Sequence, residues 1–480
     1  MYQRLVSALA FSLLSISAAN AADITASRQT AASKQARAGE AEFRALYKEL
    51  VEINTTLSVG SCTKAAEAMA ARLEAAGFAD SDLRIVQPAD RPQDGNLVAY
   101  LQGTDKSLKP LLLLAHIDVV EANRADWERD PFTLVEEDGF FYARGSSDDK
   151  AMAAVFTDSM VRFKRDGYKP KRGIKLALTC GEESPNVFNG VKYLIENHRD
   201  LVDAAFALNE GGGGRYDQAT GMYRFVAVLA AEKLYQDFTL TTVNQGGHSS
   251  RPTPDNAIYQ LVHALEKIEA HSFPIEFNDT TRGYFTKFGA IEGGQKGADM
   301  ISAPKGDTAA IERLLKDPSM NAILRTNCVA TQLAGGHAPN ALPQRATANV
   351  NCRIFPGHDP AKIRDELIAA IGDTGVKVEF QSPPETPGAP PPLSKEVMGS
   401  IEALSKDMFP GVAVIPTMAA GATDGRFFTP AGIPTYGVSG MLGDGATGNA
   451  HGLNERIRVQ TLIEGREFLY RLTKMYAGGK

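Results

Sequence analysis

The sequence predicts an α/β protein whose mostly parallel sheet carries a smaller α+β domain as an insertion. Three observations support this. Short apolar runs alternate with helix-length stretches over the first half, the pattern turns to alternating polar and apolar residues near position 230, and helical spacing returns after a Pro-rich connector that ends near 390. The 480 residues are 43% hydrophobic and 22% charged, which excludes a disordered, collagenous or disulfide-stapled mini-protein. With 51 basic against 57 acidic residues there is no field to hold polyphosphate, so nucleic acid is excluded as a partner class.

The N-terminal residues 1–21 read as a secretory signal peptide: Arg4, an apolar stretch over 5–18, then small Ala19 and Ala21 before the cleavage point. The stretch is too short to span a bilayer, and no comparable run follows. A soluble secreted or periplasmic protein is therefore expected. No cysteine near the cleavage point offers a lipid anchor. Cys62, Cys180, Cys328 and Cys352 form no close-spaced pair, so buried free thiols are the favoured reading, although export permits disulfides and leaves pairing open.

Phe43, Leu46, Leu50 and Ile53 predict a helix over 40–53, and a second over 64–76 stops at Gly77. Strand-like runs follow at 96–101, 111–115, 174–179 and 204–208, with helices over 150–165 and 191–197 between them. Residues 234–243 alternate like a half-exposed strand, 256–270 form an amphipathic helix ending near His271, 346–354 repeat the strand pattern and 360–371 the helix. The Pro-rich 383–392 segment is a stiff connector, after which helix 394–406 returns to the first domain. The divisions are thus 40–229 and 391–480 for the two parts of the large domain and 230–390 for the insertion.

Strand ends concentrate the acidic chemistry. His116 and Asp118 close the run 111–115, Glu182 and Glu183 follow 174–179, and Glu210 follows 204–208. Open α/β sheets bind ligands at their strand carboxyl ends. Carboxylates gathered there repel unless a cation or a proton intervenes, and a metal is the simplest remedy. Asp148 and Asp149 lie where a loop enters the helix at Lys150; plain helix capping is the alternative reading for both. His451 lies in a late Gly-rich loop, Gly448-Asn449-Ala450-His451-Gly452, which is uninformative alone. The run Gly211–Gly214 lacks the Lys-Ser/Thr ending of a phosphate cradle and reads as a flexible loop.

Taken in order, His-x-Asp at 116–118, Asp-x-Lys at 148–150, Glu-Glu at 182–183, Glu210 and the late His451 resemble the dinuclear zinc peptidase and deacylase family, M20, that includes carnosine dipeptidases, glutamate carboxypeptidase, aminoacylase and succinyl-diaminopimelate desuccinylase. The likeness runs through nearly all of the chain after the leader. It implies a parallel-sheet zinc-hydrolase domain with an inserted lid that mediates dimerisation. It also implies two divalent ions, zinc by expectation: Asp148 bridges them, His116 and Glu210 complete one site, and Glu183 and His451 complete the other. Asp118 would hold the His116 imidazole and fix its tautomer, and Glu182 would be the general base. The resemblance further gives His248, in Gly247-His248-Ser249, the oxyanion of a partner subunit's site, Asn340 a substrate contact, and Arg353 the substrate carboxylate. Two departures stand out: Ala151 replaces a common Gly after Lys150, and extra sequence between His271 and Gly335 lengthens the lid.

The function expected is hydrolysis of an amide bond beside a free carboxylate, in a dipeptidase or carboxypeptidase. The nearest alternative is an N-acyl amino acid deacylase using the same groups. A serine hydrolase is disfavoured because no Gly-x-Ser-x-Gly elbow occurs. A non-catalytic solute-binding protein would need no base beside a metal ligand.

Overall fold

Strands Leu111–His116 and Ile174–Thr179 are buried along their whole length, as apolar runs must be when helices cover both faces of a sheet. The computed structural model describes residues 38–184, 186–217, 219–444 and 448–479, so the leader read over 1–21 lies outside the described residues. The two buried strands pair in parallel with His116 opposite Thr179. Phe206–Asn209 lies parallel on the other side of Leu111–His116, and Thr435–Gly437 follows in parallel. These four form the centre of a nine-stranded sheet flanked by Asn96–Leu101 and Met222–Glu232, each antiparallel to its inner neighbour.

Alternate side chains of one strand serve two cores. Leu111, Leu113 and Ala115 pack with helices Glu40–Glu52, Lys150–Arg165 and Val459–Ala477, while Leu112 and Leu114 meet Val191, Leu194 and Phe428 on the opposite face. The second helix spans Cys62–Ala75, starting two residues earlier than its apolar spacing suggests. Its start is set by Ser61, whose side chain accepts from the Lys64 N–H at 3.2 Å.

The alternation after position 230 has the expected cause. Leu234–Val243 and Arg345–Ile354 pair antiparallel within a four-stranded sheet completed by Asn327–Gly335 and Lys377–Phe380. One face of that sheet is covered by helices Ala257–Ala270 and Pro360–Ile371 over a core of Phe238, Leu240, Leu261, Val350 and Leu367. The extra sequence between His271 and Gly335 folds largely into helices Asp279–Glu292, Gly294–Ser302, Thr308–Leu314 and Pro318–Leu324 around Phe285, Met300 and Leu324. The first of these leans on the large sheet at strand Ala413–Ala419. A Cβ on Gly283 would stand 2.7 Å from the Pro416 ring, so the absence of a side chain permits this approach.

Two expectations are overturned. The cysteines are not free thiols: Cys62 bonds to Cys180 and Cys328 to Cys352. The second pair sits directly opposite in the lid sheet, Cys328 facing Cys352, a juxtaposition only the strand register creates. The Gly211–Gly214 segment is not simply a loop, because Gly213–Asp217 forms a strand against Met222–Glu232. Gly212, at φ 70°, is held so tightly that a Cβ would lie 2.4 Å from the Gly437 carbonyl oxygen, which explains the glycines. Among the described residues no helix is long and apolar enough to cross a membrane.

Candidate metal centre and active site

The Asp148 carboxylate stands between two imidazoles. Its Oδ1 lies 3.1 Å from His116 Nε2 and its Oδ2 lies 3.2 Å from His451 Nε2. His451 Nε2 is also 2.9 Å from Glu183 Oε1, and His116 Nε2 is 3.7 Å from Glu210 Oε2. The ligand atoms of His116, Asp148 and Glu183 lie within 4.8 Å of one another, as do those of His116, Glu182 and Glu210. The fold therefore brings together His116, Asp148, Glu182, Glu183, Glu210 and His451, delivered by three strand ends and two loops. Two of them, Asp148 and Glu210, line a cleft of about 330 Å³ together with Asp149 and Ala450.

Asp118 sits beside them in a way its spacing did not foretell. The nearest acceptor to His116 Nδ1 is the main-chain carbonyl of Asp118, at 3.1 Å, with its carboxylate at 3.6 Å. A proton on Nδ1 leaves the Nε2 lone pair facing Asp148 and Glu210. The Asp118 carboxylate itself accepts the backbone N–H groups of Glu182 and Glu183, at 3.2 and 3.0 Å, and so holds the Glu-Glu turn. The capping alternative for Asp149 fails: it precedes helix Lys150–Arg165 without a side-chain capping bond, and its buried Oδ2 has no hydrogen-bond partner. The Asp148–Asp149 peptide is cis.

The lid residues lie elsewhere. His248 and Asn340 come together on the exposed lid edge, where the Ser249 N–H donates to the Asn340 carbonyl at 3.0 Å and Ser250 contacts His248 Nδ1. Arg353 stacks over the Tyr235 ring at 4.6 Å, within the lid sheet. Among the described residues none of the three forms a hydrogen bond or ion pair with the acidic cluster.

Two buried acids near the site escaped the sequence reading. Glu455, fully buried, accepts from Arg144 Nη1 at 2.8 Å and from the N–H groups of Gly145, Ser147 and Asp148 at 2.8–3.0 Å, so it fixes the loop that presents Asp148. No short-range pattern marks it. Asp424, buried, accepts from Asn189 Nδ2 at 2.6 Å and from Thr179 Oγ1 at 3.1 Å. It follows strand Ala413–Ala419, so the strand-end criterion that found the other acids would have flagged it had that strand been read.

Crowding shows in the acid–base balance. Burial, with Glu210, Asp424 and Glu183 adding repulsion, pushes Glu182 up to about 10, and burial with Asp148 nearby pushes Glu183 up to about 7. Burial alone would strip His116 of its proton, but the charge of Glu210 and the contacts with Asp118 and Asp148 outweigh it and raise the imidazole. His451 rises to about 9, chiefly through its hydrogen bond to Asp148. Burial opposes ionisation of Asp148, yet its two imidazole partners hold it below the usual carboxylate range. Protons balance the cluster by themselves; divalent cations would do the same while releasing them. A bridging carboxylate between two His-and-carboxylate pairs is a donor set that fits two such ions, with the nitrogen and oxygen ligands zinc accepts.

The chain is similar to several known proteins. It is 30% identical over 374 residues to the N-fatty-acyl-amino acid synthase/hydrolase PM20D1 of Xenopus tropicalis, covering 75% of this chain and 71% of the relative. It is 29% identical over 387 residues to the probable carboxypeptidase S-like 2 of Dictyostelium discoideum, covering 79% and 74%. Its fold is that of the M20 family metallo-carboxypeptidase of Sulfolobus solfataricus, with a TM-score of 0.67 at 19% identity over 91% of this chain and 99% of that one. The model of peptidase family M20/M25/M40 matches residues 112–475, from the His116 strand to the last helix. Membership implies a dinuclear metal site, which the paired donors around Asp148 fit. The chain belongs to this family of metallohydrolases.

Proposed function

We propose that this protein hydrolyses an amide bond next to a free carboxylate, as a carboxypeptidase or dipeptidase. The observation that carries the reading is the Asp148 carboxylate with one oxygen toward His116 and the other toward His451. Asp148, His116 and Glu210 would hold one divalent ion, and Asp148, Glu183 and His451 a second, with zinc the expected metal. Bound there, the ions supply Lewis acidity to the attacking water and the scissile carbonyl. Glu182 takes a proton from that water at its carboxylate and returns it to the leaving nitrogen. Asp118 keeps Glu182 and Glu183 in register through their backbone N–H groups. His248 stabilises the oxyanion, Asn340 contacts the substrate, and the Arg353 guanidinium holds its carboxylate.

A second reading is favoured by the first of the relatives above: an N-acyl amino acid hydrolase, in which an acyl group replaces the N-terminal residue. Both readings share the amide and the carboxylate. Assaying zinc-loaded protein on dipeptides, longer peptides and N-acyl amino acids distinguishes them. Hydrolysis of the peptides supports the first, cleavage of acyl amino acids alone supports the second, and inactivity on all three refutes both. Replacing Arg353 with Ala should raise KM about 10- to 100-fold, the loss expected for a charged hydrogen-bonding partner. An unchanged KM would remove Arg353 from that role.

His248 and Asn340 lie on the lid edge, away from their own chain's cluster, which favours a homodimer in which each lid serves its neighbour. The lid's outer face supports this. Edge strand Asn327–Gly335 has one free side, and Val329, Leu333, Tyr259 and Val262 are exposed beside it. Gel filtration should show a dimer. A fully active monomer near 51.5 kDa would contradict the cross-subunit assignment. An exported location fits the two disulfides, which persist in oxidising compartments.

A further inference from the structure

The loop that leaves strand Ala413–Ala419 reaches the segments bearing the catalytic carboxylates without touching a metal donor itself. We propose that Asp424 is a positioning residue that holds Glu182 and Glu183 in place by clamping both ends of their loop. The assignment rests on the reading of Glu182 as the base and Glu183 as a metal ligand.

The loop begins after Thr179, the last residue of its strand, and ends at Asn189, which caps helix Gly190–Asn197. Asp424 grips both. Its Oδ2 accepts from Thr179 Oγ1 at 3.1 Å and its Oδ1 from Asn189 Nδ2 at 2.6 Å, with the carboxylate fully enclosed. Asn189 Oδ1 meanwhile accepts from the Lys192 N–H at 2.9 Å, so that side chain joins the helix start to Asp424. The loop's two ends also pass in contact: a Cβ on Gly181 would lie 2.3 Å from the Phe188 carbonyl oxygen. Asp118 holds the middle of the turn through the Glu182 and Glu183 N–H groups. One carboxylate therefore fixes the tip and the other fixes the base.

The clamp is itself anchored. The N–H and hydroxyl of neighbouring Thr423 both donate to the half-buried Glu232 carboxylate at 2.7 Å, and the Thr423 hydroxyl accepts from Asn209 Nδ2 at 2.9 Å. Asn209 immediately precedes Glu210, so two adjacent residues relate the Glu182–Glu183 turn to the third strand-end acid. Capping does not account for Asp424, because it makes no side-chain bond to the short helix Gly425–Phe428. A small displacement of a base far outweighs its distance from the mutated atom, since misplacement of about 1 Å costs about a hundredfold in rate.

The test compares Asp424→Ala, Asp424→Asn and Asn189→Ser in zinc-loaded full-length protein, measuring kcat, KM, metal content and melting temperature. Serine keeps a capping oxygen at 189 but removes the amide donor. Asp424→Ala should lower kcat about 10- to 100-fold with KM little changed, and should weaken zinc binding because Glu183 is released as well. Asn189→Ser should fall similarly, and the double variant should be no worse than either single one, because both break the same contact. Asp424→Asn keeps the size and an acceptor for Asn189, so it should restore most of the turnover. Wild-type kcat in Asp424→Ala, additive losses in the double variant, or an Asn variant as impaired as Ala would each overturn the proposal. Should the Ala variant not fold, the Asn189→Ser and Asp424→Asn pair decides by the same criteria. Glu182→Gln is the control: if it is inactive while Asp424→Ala is unaffected, only the clamp fails, and if it is active, the reading of the base fails first.

Discussion

Replacing Glu182 with Gln lowers kcat about 10²- to 10⁴-fold and leaves the bound metal intact, the size of effect a general base contributes. The carboxyl lies within 4.8 Å of donor atoms on His116 and Glu210 but is outside the two donor sets built around Asp148. Without cations, burial and the surrounding acids hold it up near 10, which makes it a proton holder. Two divalent charges beside it draw that value back toward the working range, where a base both accepts and releases a proton. Steady-state kinetics and metal analysis on the same preparation check the result. A variant keeping a tenth of wild-type turnover, or one that loses its metal, would show that Glu182 has another role.

Replacing Glu455 with Gln destabilises the fold by about 3–5 kcal/mol, the cost of removing one partner of a buried ion pair. The side chains of Glu455 and Arg144 are both almost wholly enclosed and 2.8 Å apart. The carboxylate further accepts three main-chain N–H groups from the turn that presents Asp148. An amide of the same size carries no charge to balance Arg144 and turns an NH₂ toward donors. Chemical denaturation should report the loss as a lowered midpoint with unchanged slope. Activity should fall with it, because the turn carries Asp148. Stability within 1 kcal/mol of the parent would mean that Arg144 finds compensation elsewhere.

Much of the site was legible because its chemistry sits where the sheet's periodicity ends. Once Leu111–His116 and Ile174–Thr179 read as buried strands, His116, Glu182 and Glu183 had to emerge at one edge, and Glu210 followed from the next strand. His451 was legible only through resemblance, since a single histidine among glycines has no local signature. Glu455 was missed because its partner Asp148 lies 307 positions away, and no pattern within a window encodes such a meeting. Asp424 was missed because the strand ahead of it, Ala413–Ala419, was not read, and its partner Asn189 lies 235 positions away. Distance in sequence also hid the Cys62–Cys180 bond, across 118 residues. The helices between His271 and Gly335 were overlooked although side chains of Asn278, Asp307 and Asp317 cap three of them. Two of those helices span only seven residues, too few for apolar spacing to declare itself.

The order in which the chain is made adds one consequence. The turn presenting Asp148 is completed by Glu455, and His451 approaches the same acid from that late segment, while the whole lid lies between them in the chain. A ribosome must therefore emit nearly the entire polypeptide before His451 can meet Asp148 and Glu183, and a fragment ending ahead of His451 lacks one side of this cluster. Wide separation of the joining segments also slows the final assembly, because closing so long a connection precedes any reward from the contacts it makes.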